Sequence, residues 1–165
     1  MKQHEPPTGA SSPYITEQGF AALRREARDI WKRRAEVTRA LSAAAAEGDR
    51  SENAEYIYRK KELAEIDRRI RYLQKRLPAL NVVNEVGDTD KVFFSARVTL
   101  EKEHGGEVEY RIVGGDEIHS DSSKGHISID SPMARAMLAK TVGDRVTLEL
   151  NGERRLFFIR KIRYR

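Results

Sequence analysis

From Phe20 the apolar side chains recur in alternating steps of three and four: Phe20, Leu23, Ala27, Ile30, then Arg34, Val37, Leu41 and Ala44. The same alternation returns at Tyr56, Arg59, Leu63, Ile66, Ile70, Leu73, Leu77 and Leu80. A seven-residue repeat draws one narrow stripe along a helix, and such a stripe is buried against a second helix. Two stripes joined by a short Gly48-Asp49 turn therefore predict an antiparallel helical hairpin. Thr16 suits the N-cap of the first helix, and Pro78 marks the end of the second. About 30 residues per arm, at ~1.5 Å each, predict helices on the order of 45 Å long. Each stripe holds one arginine, Arg34 or Arg59, whose stem can pack while its head reaches water. Trp31, beside the stripe, is read as core or rim packing rather than a ligand contact.

Charge is uneven along the chain. The net charge is +5, and residues 24–76 hold 16 Lys/Arg against 10 Asp/Glu, leaving 15 against 16 elsewhere. All surplus positive charge thus lies on the hairpin, which fits either a polyanionic partner or a solvated helix face. Charged residues are 35% and apolar ones 39%, a lean core for one globule. With no cysteine, disulfides and thiolate metal sites are excluded, and a reducing compartment is expected. No apolar run approaches the roughly 18 residues of a membrane span. The first residues, MKQHEPPTGASSP, lack the apolar stretch of a secretory signal and read as a loose tail over 1–13. The expected location is the cytoplasm.

Beyond residue 80 the period becomes that of strands. Residues 91–100 and 107–113 are β-branched and aromatic, and residues 145–150 and 154–159 flank Asn151-Gly152, a strong hairpin signal. Ser131-Pro132 before MARAMLAK reads as an N-cap, a first-turn proline and one short helix. Residues 81–165 are expected to form a small domain with a largely antiparallel sheet, making the whole chain α+β. Gly114-Gly115 reads as a turn.

The basic hairpin interrupts itself at GDRSENAEY, within an acidic tip over 47–55. Asp49 with Glu52 three residues later fits a capping box, and acids in a first turn suit the helix dipole. That reading does not explain why acids gather at the end of a basic element. Two carboxylates one turn apart can also share a hard divalent cation or orient a water. Two oxygens are too few to hold Mg²⁺ alone, so the other ligands would come from a partner.

GDRSENAEY followed by KKELAEIDRRIRYLQKR resembles the signature of the bacterial Gre transcript-cleavage factors. KVFF, YRIVGGDEI and ISIDSPMARAMLAKTVGD resemble that family's C-terminal domain, in the same order. Arg50 and Ser51, DRRIRYL and SPMARAML are nearer to one of its two branches than to the other. The resemblance runs from Tyr14 to Tyr164 and implies a coiled-coil hairpin over 14–80 and an FKBP-like domain over 81–165. It implies a monomeric factor, not itself an enzyme, that enters the secondary channel of backtracked bacterial RNA polymerase. There Asp49 and Glu52 would help hold the second catalytic Mg²⁺ and its attacking water, and the polymerase would cut the extruded 3′ end of the nascent RNA. Arg50, Arg59 and Lys60 are the first choices for touching RNA or the channel wall. Asp130, Ser131 and Pro132 match the motif that docks on polymerase. Transcription regulation and DNA binding are attributes carried by the same resemblance.

The residues leave rival functions open. A Gre-like protein can block the channel without promoting cleavage; such proteins have altered tip acids, whereas this chain keeps Asp49 and Glu52. The remaining rivals are a prolyl isomerase and a free-standing RNA-binding coiled coil. His4, His104, His119 and His126 have no recognised metal spacing, and P-loop, dinucleotide and nucleophile-elbow motifs are missing from the sequence.

Overall fold

The computed structural model describes residues 11–48, 53–118 and 125–164. They divide into two units, one of Phe20–Leu80 and one made from the segments on either side of it.

The first unit holds most of α1 (Glu17–Ala46), all of α2 (Ala54–Arg76) and a 3₁₀ turn at Leu77–Ala79 containing Pro78. Every residue of both predicted stripes is buried or partly buried. Val37, Ile66 and Ile70 form the centre of the seam, with Ile30 and Leu63 packed against them. The helices run antiparallel: Glu26 pairs with Arg69 near one end, and Ala44 accepts from the Asn53 amide at the other. Arg34 does not simply reach water. Its Nε donates to Asp67 across the seam at 2.7 Å. Trp31 is 51% exposed on the flank of α1, at the rim of the seam and not in its core.

The second unit is a five-stranded mixed sheet in the order β5-β4-β3-β7-β6, with one short helix. Its strands are β3 (Arg97–Lys102), β4 (Glu107–Val113), β5 (His126–Ser128), β6 (Arg145–Leu150) and β7 (Glu153–Arg163). Only the β4/β5 pair is parallel. Asn151 and Gly152 both have positive φ, 52° and 80°, the backbone a two-residue hairpin turn needs. Helix α3 (Pro132–Met137) lays Met133, Ala134 and Met137 on the inner face, against Val98, Leu100 and Ile159. β3 begins later than the sequence suggests. Val92 instead exchanges backbone bonds with Ala139 and Lys140, and Ser95 turns the chain with φ 72°. A bulge between β3 and β7 lets Ile162 and Ile159 both face inward and turns Arg160 out to Glu101.

A small parallel pair, β1 (Tyr14–Ile15) with β2 (Asn81–Val82), closes this unit. Beside it Thr16 caps α1, its hydroxyl accepting from the Gly19 amide at 3.1 Å. The buried carboxylate of Glu117 accepts from the Thr16 and Gly114 amides, at 3.1 and 2.7 Å, and from the Thr16 hydroxyl. A buried acid is tolerable when so satisfied. Both glycines are required here: a Cβ on Gly19 would run into the Glu117 carboxyl, and one on Gly114 into the Tyr14 carbonyl.

Alanine within a helix ordinarily gains about 1 kcal/mol over glycine. Gly19→Ala is expected to reverse that sign and destabilise this unit by about 1–3 kcal/mol through overpacking. Thermal melts followed by circular dichroism check it; a rise in Tm would refute the Glu117 packing.

Candidate functional site

Asp49, Arg50, Ser51 and Glu52 lie outside the described residues, as do His4 and His119. Their immediate frame is described. α1 ends at Ala46, and α2 starts at Ala54 with Asn53 as its N-cap. The Asn53 carbonyl oxygen accepts from the Tyr56 amide at 3.1 Å, while its NH₂ donates to the Ala44 carbonyl at 2.7 Å. One side chain thus starts α2 and ties it to the last turn of α1. The capping role expected of Asp49 and Glu52 belongs to Asn53, because α2 begins one turn later than the capping box supposed. Glu55, in the first turn of α2, is paired with Arg59 at 2.8 Å. Among the described residues no group of three His, Asp or Glu could hold a metal ion.

The other tip cations differ from one another. Arg59 is a seam residue whose Nε donates to Glu55 and whose Nη1 donates to Glu62 at 3.0 Å. Those bonds raise its pKa, with Glu55 first and Glu62 second. Glu62 also receives Arg33 from α1. Lys60, next along the chain, is exposed. Arg34 likewise holds the Asp67 carboxyl below the usual carboxylate range by its hydrogen bond. That contribution is present at neutral pH and fades only as pH falls through the lowered value.

Heptad position sorts the charges. Counting outward from the seam, Arg25, Lys32 and Arg39 on α1 and Lys61, Arg68 and Lys75 on α2 occupy the outermost ridge and are exposed. One flank carries the cross-helix pairs Arg33–Glu62 and Glu26–Arg69. The opposite flank carries Arg24, Arg28, Trp31, Lys60 and Arg71, all exposed, with Asp67 as its acid. The charge surplus seen in the sequence therefore becomes a sided surface. The repeat itself contained that signal: each outermost position between Arg25 and Lys75 in the two helices, apart from Ala46 and Ala54 beside the tip, is basic.

Asp130, Ser131 and Pro132 meet at the start of α3. The Ser131 hydroxyl accepts from the Ala134 amide at 3.2 Å and Pro132 occupies the first turn, as expected of a cap. Asp130 is not bare. Its carboxylate accepts from the Ser12 amide at 2.9 Å and from the Ser12 hydroxyl. Nothing in the local sequence announces that contact, since the partners are 118 residues apart. No described helix is long and apolar enough to cross a membrane.

These two units are those of a known class. The family described as transcription elongation factor, N-terminal, matches residues 13–82, and transcription elongation factor GreA/GreB, C-terminal, matches residues 87–164. The chain belongs to the GreA/GreB family of transcription elongation factors. Within it, the similar proteins are of the GreB type. Transcription elongation factor GreB of Xanthomonas axonopodis pv. citri is 53% identical over 99% of this chain and 98% of that protein. GreB of Pseudomonas aeruginosa is 49% identical over the same shares, and GreB of Haemophilus influenzae is 51% identical over 94% and 98%. Among solved structures, that of the transcription factor Gfh1 overlaps 93% of this chain and 98% of its own at 26% identity, with a TM-score of 0.44. The chain is accordingly a factor that stimulates transcript cleavage and not itself the enzyme. The relatives' names give transcription elongation and lend DNA binding no support.

Asn53→Ala should lower hairpin stability by about 1 kcal/mol or somewhat more, because it removes both the cap and the bond to Ala44. Asn53→Asp keeps the acceptor and loses the donor, so it should fall between. Helical signal on heating measures both; an unchanged Asn53→Ala melt would move the cap elsewhere.

Proposed function

We propose that the hairpin over 14–80 carries its acidic tip, 47–55, into the secondary channel of bacterial RNA polymerase when the enzyme has backtracked. Asp49 and Glu52 hold the second Mg²⁺ of the polymerase site and orient the attacking water. The ion's own chemistry is to stabilise the attacking and leaving oxygens of the cut. The nascent RNA loses its extruded 3′ end and elongation resumes. Residues 81–165 dock at the channel's outer rim through Asp130, Ser131 and Pro132. The factor works as a cytoplasmic monomer.

One observation supports this reading of the tip above others: Asn53 caps α2, so the helix start does not require Asp49 or Glu52. Two acids free of that duty fit ligands offered to a partner's ion. Neighbouring described residues offer no competing metal site. Arg50, Arg59 and Lys60 are the proposed contacts to RNA or the channel wall. Lys60 is the more available of the two described members, since Arg59 must first release Glu55 or Glu62.

The decisive experiment is the double variant Asp49→Asn with Glu52→Gln, added to stalled polymerase carrying end-labelled RNA. Its stability should change by under about 1 kcal/mol, its competition with the parent for polymerase should persist, and cleavage should be severely reduced. A folded variant that still stimulates cleavage would remove both acids from the mechanism. Titration calorimetry on the parent alone should show only weak Mg²⁺ binding, because two carboxylates leave an octahedral shell incomplete.

Charge reversal separates the basic pair. Lys60→Glu should weaken rescue most at low salt and leave the melt unchanged. Arg59→Glu should do so while also destabilising the hairpin, since it places an acid between Glu55 and Glu62. Normal cleavage by Lys60→Glu at low salt would leave the ridge as a solvated face.

A further inference from the structure

The outer face of the five-stranded sheet carries a row of like charge. Strand register sets Arg111 opposite Arg97, and Arg97 opposite Arg163, across β4, β3 and β7. Like charges directly opposite one another destabilise a sheet. Arg163 is relieved by Glu109, whose two carboxylate oxygens each lie 3.1 Å from its Nη2. Arg97 and Arg111 have no such relief among the described residues. The Nε of Arg111 is buried and donates to nothing there. Burial, then Arg97, push the Arg111 pKa down, with Glu117 opposing. Glu117 acts on Arg111 through its charge only; its hydrogen bonds are accepted from Thr16 and Gly114, and no ion pair with Arg111 is formed.

Arg111 faces space. It lines a cleft of about 400 Å³ together with Thr16, Gln18, Asn84, Thr89 and Ser95. Ser95 presents itself there from a left-handed backbone, φ 72°, a conformation few residues other than glycine hold without help. Glu17, the acid on the rim, is exposed to water.

We propose that this cleft binds a small molecule through a phosphate group seated on Arg111, with Arg97, its cross-strand neighbour, adding positive charge nearby. Arg111 has no ion pair among the described residues, and Arg97 beside it adds a second positive charge that Glu117 offsets only in part, so an anion is favoured there. A phosphate monoester carries about −1.5 to −2 at neutral pH, where a carboxylate carries one charge. The planar donor fork of arginine suits the tetrahedral oxyanion. The hydroxyl and amide groups around it can serve the remaining oxygens and a sugar. The volume exceeds that of a bare phosphate and falls within the roughly 300–1,000 Å³ of small-molecule sites.

The test uses the full chain with adenosine monophosphate, inorganic phosphate, adenosine and a short acidic peptide, read by thermal shift and titration calorimetry. The monophosphate should raise Tm, inorganic phosphate should do so less, and adenosine not at all. Arg111→Gln should weaken the monophosphate on the order of 10-fold or more. Without ligand it should be at least as stable as the parent, because the unpartnered buried Nε and the repulsion from Arg97 are gone. If Arg111→Gln fails to fold, Arg97→Gln replaces it, with a several-fold weakening expected. No shift with either phosphate would overturn the site. Equal binding by parent and variant would place the anion on the basic helices and overturn it too. A larger effect from the acidic peptide would reject phosphate as the ligand.

Discussion

The packing of two narrow apolar stripes, one on α1 and one on α2, governs the architecture of the hairpin. Helices as polar as these gain little from solvent on their outer faces, so the seam must supply the attraction that keeps them together. The seam residues are modest: alanines at 27 and 44, and arginines at 34 and 59, take places a richer core would give to leucine. Cross-helix hydrogen bonds at Arg34–Asp67 and Arg69–Glu26 specify the pairing where apolar area is thin. With register settled, Asn53 meets Ala44 and the chain reverses at a defined place. Between these two residues the sequence runs through Asp49 and Glu52, the acids of the proposed tip.

The hairpin was legible in the sequence almost residue by residue because its signal is local and repeated. The strands were legible where alternation held, as in β4 and β6, whose bounds coincide with the expected ones. Where alternation broke, the reading slipped. β7 continues to Arg163, but the bulge at Arg160 disrupts the period, so the sequence suggested a shorter strand. Val92-Phe93-Phe94 has the composition of a strand, yet its bonds go to Ala139, Lys140 and the Tyr164 hydroxyl. The parallel pairs β1/β2 and β4/β5 depend on partners far apart in the chain, or on a strand of three residues.

The site was legible in kind more than in detail. Acid at the tip and base along the helices could be counted. The capping box pointed to Asp49 with Glu52, whereas α2 starts at Ala54 behind Asn53, and spacing alone does not say where a helix starts. Glu117, the Ser12–Asp130 contact and the arginine row on the sheet gave no warning. Each is made by side chains that meet only through tertiary register, and a single buried glutamate looks in sequence like any exposed one.

The unequal flanks of the hairpin have a consequence before any contact is made. Ion pairs neutralise one side, Arg33 with Glu62 and Arg69 with Glu26, while Arg24, Arg28, Lys60 and Arg71 leave the other bare. Such an object carries a transverse electric dipole as well as a net charge. In the field of a polyanion that dipole experiences a torque, which turns the helix pair about its own long axis while it is still diffusing. The rotational search is narrowed in advance, and Trp31 arrives on the leading side.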